Sequence, residues 1–444
     1  MTQVPPMLRE LAAAVIVVLA APAVVAQDDE RDLLTLVDGR ELRGRVFSRL
    51  DGDEIVLQRG TRRQDVPRRD VASMDTVGDR VREFFRLLDR LPDHPQHVWF
   101  LVGWARSRQL ENLARVLATD LVLRHPEHEE AHEFLGHRRR GTTWLWPDDD
   151  EWRALADLER AHAEWGHPFV VESEHFLVRT NTTLRAAVDT LLDLERIHQW
   201  WRERFAESLH LYELVGEKVV FEVWRDRESF PGLNRLKHPY FLHRIEDTQP
   251  PLVRTYCDGT PGRPVRLTEV AVQALLYRTL ADDPGLRTAH RFCGWGEVGL
   301  ARYAEFSLAG PLGRLAPIPW RCPADEAALV LADKERRLVE LTHRSTRQLH
   351  FTVTDEVATD WATVHLFVAF LLTSDATTGR AQGFLDYLRT AIRGAKGDSS
   401  TELDRQLRCK LETLEAPLRQ WVRAAVAGPE RPPQSGGSGG GAGS

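Results

Sequence analysis

Residues 31–77 alternate short β-prone runs with turn dipeptides. Asp38-Gly39 and Asp51-Gly52 each separate two such runs, and Asp-Gly in this position is typical of a β-hairpin. The pattern predicts five short strands folded into a small all-β SH3-like barrel. The predicted strands cover residues 33–37, 42–47 and 55–58, a short run at Val66, and residues 71–74.

Residues 80–166 carry apolar side chains at helical spacing, which predicts an α-helical segment. Ala114, Pro126 and Leu135-Gly136 match the tetratricopeptide pattern of an alanine, a turn proline and a Leu-Gly pair in the next helix. We therefore expect a helical TPR-like spacer after the barrel.

Residues 167–428 mix strand and helix patterns, which predicts an α+β domain with a helical carboxyl-terminal subdomain. Residues 169–179 alternate as one strand, and residues 184–205 keep the spacing of a long amphipathic helix. A compact second strand follows at residues 218–223. Residues 401–427 are predicted to form one further amphipathic helix at the end of the domain.

The two ends of the chain lie outside these predicted domains. Arg9 precedes an apolar run, and small residues up to Ala26 suit signal-peptidase cleavage, so residues 1–26 are predicted to be a signal peptide. The run is short for a membrane span, which predicts export to the periplasm or the cell exterior with no integral span after cleavage. An uncleaved anchor is the alternative. The glycine-rich residues 429–444 are predicted to be a flexible tail.

The composition is that of an ordinary globular protein of several domains. Of 444 residues, 42% are hydrophobic and 28% are charged, which is enough apolar surface for a sizeable core. The formal net charge is −7, and no long basic stripe stands out, so we expect no binding to nucleic acid.

Four cysteines follow the predicted signal peptide: Cys257, Cys293, Cys322 and Cys409. In an oxidising compartment they could form two disulfides in any of three connectivities. Buried free thiols are an equally acceptable arrangement, because a chain of this length does not need covalent cross-links. Their spacing matches no zinc-binding motif.

The chain contains one literal HExxH motif, which runs from His128 to His132. On a helix, two histidines four residues apart share a face and can hold one zinc ion. Such a site would need a third ligand, for which His125 and His137 are candidates. A chain with 17 histidines and 66 acidic residues produces such a pattern by chance, and no strand precedes this segment. We interpret the motif as part of a packed repeat helix and keep a zinc site at His128 and His132 as the alternative.

A second segment has the frame of a zinc site without its ligands. It reads Thr268-Glu269-Val270-Ala271-Val272, followed by Trp295-Gly296-Glu297-Val298-Gly299-Leu300-Ala301. This pair of motifs resembles the gluzincin metallopeptidases, in which HExxH on one helix is followed by WxxEGLA on a later one. The resemblance implies that Thr268 and Val272 replace the two histidine ligands and that Val298 replaces the glutamate ligand. Only Glu269, at the position of the general base, matches.

The resemblance implies a gluzincin-like domain over residues 167–428 that has lost its metal. Valine has no lone pair for zinc, and without zinc Glu269 has no activated water to deprotonate. Glu269 is then either a carboxylate in the first turn of a helix or a remnant of a binding site. His365, on an apolar helix, is more simply a core histidine than a ligand.

We therefore expect an exported pseudopeptidase that needs no cofactor and binds or scaffolds a peptide or protein ligand. One alternative is an active zinc metallopeptidase that uses His128 and His132 or other ligands. A second alternative is an interaction protein that works through the barrel and the spacer. The sequence favours absence of catalysis but leaves the question open.

Overall fold

The computed structural model of the protein consists of two compact units. One unit ends at Thr76 and the other continues from Val77. The predictions for residues 1–26 and 429–444 lie outside the described residues. The structure describes residues 31–46, 52–60, 62–212, 214, 218–232, 237, 239–242, 252–259, 263–280, 294–333, 338–343, 349, 355–374, 379–392 and 400–427.

The first unit is a five-stranded antiparallel sheet, as the hairpin signals predict. Consecutive hairpins join the first four strands, and the fifth returns beside the first, in the order β4-β3-β2-β1-β5. Its strands are β1 (Asp32–Leu36), β2 (Glu41–Val46), β3 (Glu54–Arg59), β4 (Arg62–Pro67) and β5 (Val71–Asp75). Alternate side chains form its core, namely Leu34, Leu36, Val46, Ile55, Leu57 and Val66. Within the described residues β4 and β5 stay unpaired with each other, so the expected closed barrel is not formed.

The second unit begins with the predicted helices, but the helical segment ends at Leu135. Residues 138–154 form a three-stranded antiparallel sheet, so the prediction of helix as far as residue 166 is wrong here. Gly141, at a φ of +63°, allows the tight turn between the first two strands. The elements are α1 (Val77–Arg90), α2 (Pro95–Ser107), α3 (Glu111–Arg124), α4 (Glu129–Leu135), β6 (Arg138–Arg140), β7 (Thr143–Asp148), β8 (Glu151–Ala154) and α5 (Leu155–Ala161).

A five-stranded mixed sheet follows, in the order β12-β13-β11-β10-β9. Its three central strands are parallel, and each edge strand is antiparallel to its neighbour. The long helix α6 (Leu184–Phe205), which packs on β9 and β10, matches the predicted helix at both ends. The strands are β9 (Phe169–Glu172), β10 (Phe176–Thr180), β11 (Val219–Trp224), β12 (Tyr240–Leu242) and β13 (Leu252–Tyr256).

The single strand predicted over residues 169–179 is a hairpin instead. The Ser173 amide donates to the Phe176 carbonyl at 2.9 Å, which closes the turn. Glu195 on α6 accepts hydrogen bonds from the Ser173 hydroxyl at 2.6 Å and from the His175 amide at 3.0 Å. The alternation of apolar and polar residues continues through the turn, so the pattern does not predict where the first strand ends.

The rest of the chain is mainly helical. The predicted helix over residues 401–427 is broken, because Arg408 has a left-handed φ of 55° and Pro417 can be accommodated only in the first turn of a helix. One apolar core extends from Val81 to Val422, so the spacer and the α+β region share it. The elements are α7 (Leu267–Thr279), α8 (Gly294–Glu305), β14 (Leu308–Ala309), β15 (Ala316–Pro317), α9 (Ala324–Ala332), α10 (Leu338–Thr342), α11 (Asp355–Thr373), α12 (Arg380–Ile392), α13 (Ser400–Leu407) and α14 (Glu415–Ala427).

Three of the four cysteines lie in the described part of the chain. Cys257, Cys322 and Cys409 are free thiols there, and Cys293 lies outside it. Burial raises the pKa of Cys257 to about 12 and that of Cys322 to about 11, so both thiols stay protonated at neutral pH.

In the described ranges, none of the helices combines the length and the hydropathy that a membrane span requires.

Candidate functional site

The positions that the resemblance assigns to zinc ligands lie inside the core. α7 begins at Leu267, as predicted, and packs against α8. Thr268 is buried, Val272 is 1% exposed and Val298 is 0% exposed. Two of these three side chains are hydrocarbon, and the third offers one hydroxyl, so the set lacks the imidazole and carboxylate donors that zinc requires.

Glu269, the one residue that matches the peptidase pattern, is also buried. Its side chain is 2% exposed, and its Oε2 atom accepts no hydrogen bond from any described residue. The nearest cation is Arg266, whose Nη1 lies 3.7 Å from Oε2. Burial raises the pKa of Glu269, although the charges of Arg266 and Arg302 act to lower it. The carboxyl group therefore belongs to the interior and not to an open cleft.

Glu269 belongs to a network that we call the Glu269 cluster: Glu269, Glu326 and His365, which are buried, and Arg302 and Glu305, which are half-buried. Arg302 donates to Glu326 at 2.6 Å and also pairs with Glu305. His365 Nδ1 lies 2.5 Å from Glu326 Oε2. Charge from Arg302 reaches Glu269 as well, because each shifts the pKa of the other. The cluster connects α7, α8, α9 and α11 by charge.

His365 is a satisfied core histidine, as predicted. Its ring is fully buried, with Glu326 at one nitrogen and the indole N–H of Trp320 at the other, 3.3 Å away. Phe306 stacks on the ring at 4.9 Å between centroids. Both ring nitrogens are engaged by protein groups, so the ring has no free position for a substrate or metal.

Gly299, the glycine of the WxxEGLA-like motif, is explained by packing. A Cβ atom at this position would lie 2.4 Å from Val368 Cγ2 and 2.8 Å from the Val364 carbonyl oxygen, both on α11. Helices α8 and α11 approach so closely that only glycine fits. The neighbouring Glu297, one position out of the ligand frame, accepts a hydrogen bond from the Tyr277 hydroxyl on α7.

The literal HExxH motif does not present two ligands on one helix face. His128 precedes α4 as its N-cap, and its Nδ1 accepts a hydrogen bond from the Ala131 amide at 3.3 Å. Its ring packs against Trp99, 5.4 Å away. His128 therefore has a structural role at the start of the helix.

Both ring nitrogens of His132 are occupied by hydrogen bonds. Nε2 lies 3.0 Å from the Pro126 carbonyl, which can only accept, so Nε2 carries the proton. Nδ1 lies 2.6 Å from Nδ1 of His137, and burial lowers the pKa of His137 to about 3. His137 is thus neutral and donates to His132, which leaves His132 no lone pair for a metal. Trp144 stacks on the His132 ring at 4.3 Å.

Two other groups of side chains have donors close enough to hold a metal ion. Within the described residues these are Asp148 with His162 and His167, and His175 with Glu195 and His198. Neither group was predicted, because neither contains two histidines at helical spacing. The second group contains a Glu-x-x-His pair, at residues 195 and 198 on α6. Its third member, His175, lies in the turn of the β9–β10 hairpin, which the sequence pattern did not predict.

One sheet edge lies beside the helix that carries Glu269. The edge strand β12 pairs with β13 through residues 240–242, and α7 packs against both strands. β12 is antiparallel to β13, while the three central strands are parallel. This arrangement places a strand edge next to the helix where the resemblance expects the catalytic site.

No protein-family model matches the chain, and no curated protein matches it in sequence. The gluzincin-like interpretation therefore rests on the resemblance of the residues in α7 and α8 alone.

Proposed function

We propose that this protein is an exported pseudopeptidase whose second unit contains a gluzincin-like domain that binds an extended peptide without hydrolysing it. In this proposal the first unit is an SH3-like module, which the return of β5 beside β1 supports. Residues 1–26 act as the signal peptide that exports the chain.

The observation that carries the proposal is the chemistry of the buried positions on α7 and α8. Val272 and Val298 stand where ligands would be required, and both are in the core. Replacing a ligand by valine removes the lone pair and fills the space with hydrocarbon, so neither zinc nor a reactive water has a place there. Glu269 remains as a buried carboxyl group beside Arg266, at the start of its own helix.

The edge of the mixed sheet is the surface that we assign to the ligand. An extended peptide can add to an exposed strand edge through backbone hydrogen bonds, with specificity from pockets for alternate side chains. β12 is an edge strand of the sheet within the described residues, and it adjoins α7. Peptide binding there needs neither metal nor catalytic carboxylate.

The test is peptide selection followed by hydrogen exchange on the full-length chain. A random peptide library supplies the ligand, and amide exchange is then measured with and without the selected peptide. We expect slower exchange for the amides of residues 240–242 in the complex, because they would gain backbone partners.

The opposite edge strand, β9 (Phe169–Glu172), is the internal control, since it belongs to the same sheet and is also an edge. Protection limited to β9, or protection limited to the first unit, would contradict the proposal. Failure of the library to yield any peptide that binds would also contradict it.

A further inference from the structure

The turn of the β9–β10 hairpin brings a histidine against a glutamate and a histidine of α6. His175 lies in the turn. Glu195 and His198 lie three positions apart on the helix. The donor atoms of the three side chains all lie within 4.8 Å of one another. His198 and Glu195 are fully buried, and His175 is almost so.

His198 is the unusual member of this group. Its side chain is 0% exposed, and neither ring nitrogen has a hydrogen-bond partner among the described residues. An unsatisfied polar group in the interior costs about 1–3 kcal/mol. The Nδ1 atom lies 4.0 Å from Glu195 Oε2, which is too far for a hydrogen bond.

The other two members are already ordered by their neighbours. His175 Nδ1 lies 2.8 Å from Glu195 Oε2, and the Ser173 hydroxyl donates to Glu195 Oε1 at 2.6 Å. The Glu195 carboxylate is therefore fixed by Ser173 and His175 in a position where it can serve as a ligand.

We propose that His175, Glu195 and His198 form a zinc site that joins the β9–β10 turn to α6. Two imidazoles and a carboxylate are a common zinc donor set, and a water can complete a tetrahedron. Ligands about 2.0–2.1 Å from a tetrahedral zinc lie roughly 3.4 Å apart. The separations of 2.8 Å and 4.0 Å from Glu195 Oε2 lie on either side of that value, so small side-chain shifts complete the site.

The donor set favours zinc over calcium or magnesium, which take oxygen ligands. Zinc would replace the proton in the hydrogen bond between His175 and Glu195. It would also bind a ring nitrogen of His198 that has no hydrogen-bond partner among the described residues. The nearest cation on the same helix, Arg202, has Asp79 as its own partner at 3.7 Å. This site is separate from the ligand positions on α7 and α8, and its three donors are buried, so a peptide substrate would have no direct access to its zinc.

The test is zinc stoichiometry of the full-length chain. Because the site is buried, the protein is unfolded in denaturant with a chelator, freed of the chelator and refolded with zinc chloride. We expect about one zinc per chain by elemental analysis, and loss of that zinc in His198→Leu. The matched control is His162→Leu, which alters the other histidine group and should keep the zinc.

A second variant covers the case in which His198→Leu does not fold. Ser173→Ala removes the hydroxyl that positions Glu195 and is expected to weaken zinc binding roughly 10-fold to 100-fold. Cobalt substitution supplies a spectroscopic signature, because four-coordinate cobalt absorbs more strongly in the visible range than octahedral cobalt. Refolded protein without zinc, zinc retained in His198→Leu, or unchanged affinity in Ser173→Ala would each overturn the proposal.

Discussion

At the scale of single residues, the decisive side chain is Glu269. In a zinc peptidase, a glutamate at this position must reach a metal-bound water. Here the carboxyl group is buried beside Arg266 and has an Oε2 atom without a described hydrogen-bond partner. The carboxyl group of Glu269 lies in the interior near two arginines. Its ionisation should therefore change the free energy of unfolding by a measurable amount.

Replacing Glu269 by glutamine is expected to stabilise the protein at pH 7.5 by about 1–3 kcal/mol, because an unsatisfied buried charge is removed. Burial raises the pKa in the folded state, so the protonated form favours folding. That contribution is complete below the unfolded-state pKa of about 4.3 and is lost as pH rises through the folded-state pKa. The advantage of the variant should therefore disappear near pH 4.

Urea unfolding at both pH values measures this difference. Glu83→Gln is the control of opposite sign, because a hydrogen bond from Arg86 lowers the pKa of Glu83. A loss of stability in Glu269→Gln at pH 7.5 would show that the ionised carboxylate is favourable and would contradict this interpretation.

The sequence predicted part of this site and missed the rest. The absence of metal-binding groups at Val272 and Val298 is readable from the sequence, because side-chain chemistry is local information. The Glu269 cluster was not, since Glu326 and His365 come from helices far along the chain and only packing brings them to Arg302. A buried charge pair leaves no periodic signal.

At the scale of elements, helices α7, α8, α9 and α11 are held together by close packing and by the ion pairs of the Glu269 cluster. Long amphipathic patterns were predicted well, as α6 illustrates. Turns inside regular patterns were missed at Ser173 and Gly141, because alternation or helical spacing continues across them. The break at Arg408 depends on a backbone conformation that no pattern of apolar residues reports.

Gly299→Ala is expected to destabilise the protein by about 1–3 kcal/mol, because the added methyl group would overlap Val368 and the backbone of α11. The matched control is Gly103→Ala in α2, where an added Cβ meets no atom within 4 Å. That change should be stabilising by about 1 kcal/mol, since alanine is the better helix former. Thermal and urea unfolding of both variants give the comparison.

Val368→Ala in the Gly299→Ala background removes the methyl group that clashes and should restore part of the lost stability. Equal stability of Gly299→Ala and the original protein would contradict the close approach of α8 and α11.

Arg302→Met is expected to lower the free energy of unfolding by about 3–5 kcal/mol, because it removes the arginine partner of the buried Glu326. Arg405→Met is the control, since Arg405 is largely exposed and pairs with Glu402 within one helix. That change should cost no more than about 1 kcal/mol. Similar losses in the two variants would contradict the burial of the cluster.

At the scale of the whole molecule, the chain divides into a five-stranded sheet and a large second unit. The helical spacer and the α+β region share one apolar core, so they are parts of that same unit. The coarse order of a β unit followed by helices and a mixed α+β region was predicted from pattern alone. The gluzincin-like assignment remains a proposal that function must test.

The most direct test is peptide cleavage by the full-length chain refolded with zinc. A peptide library is incubated with the protein, with and without a chelator, and products are identified by mass spectrometry. We expect no chelator-sensitive cleavage, even when zinc occupies the site at His175, Glu195 and His198. Chelator-sensitive cleavage that is abolished by Glu269→Gln or by His132→Ala would contradict the central claim.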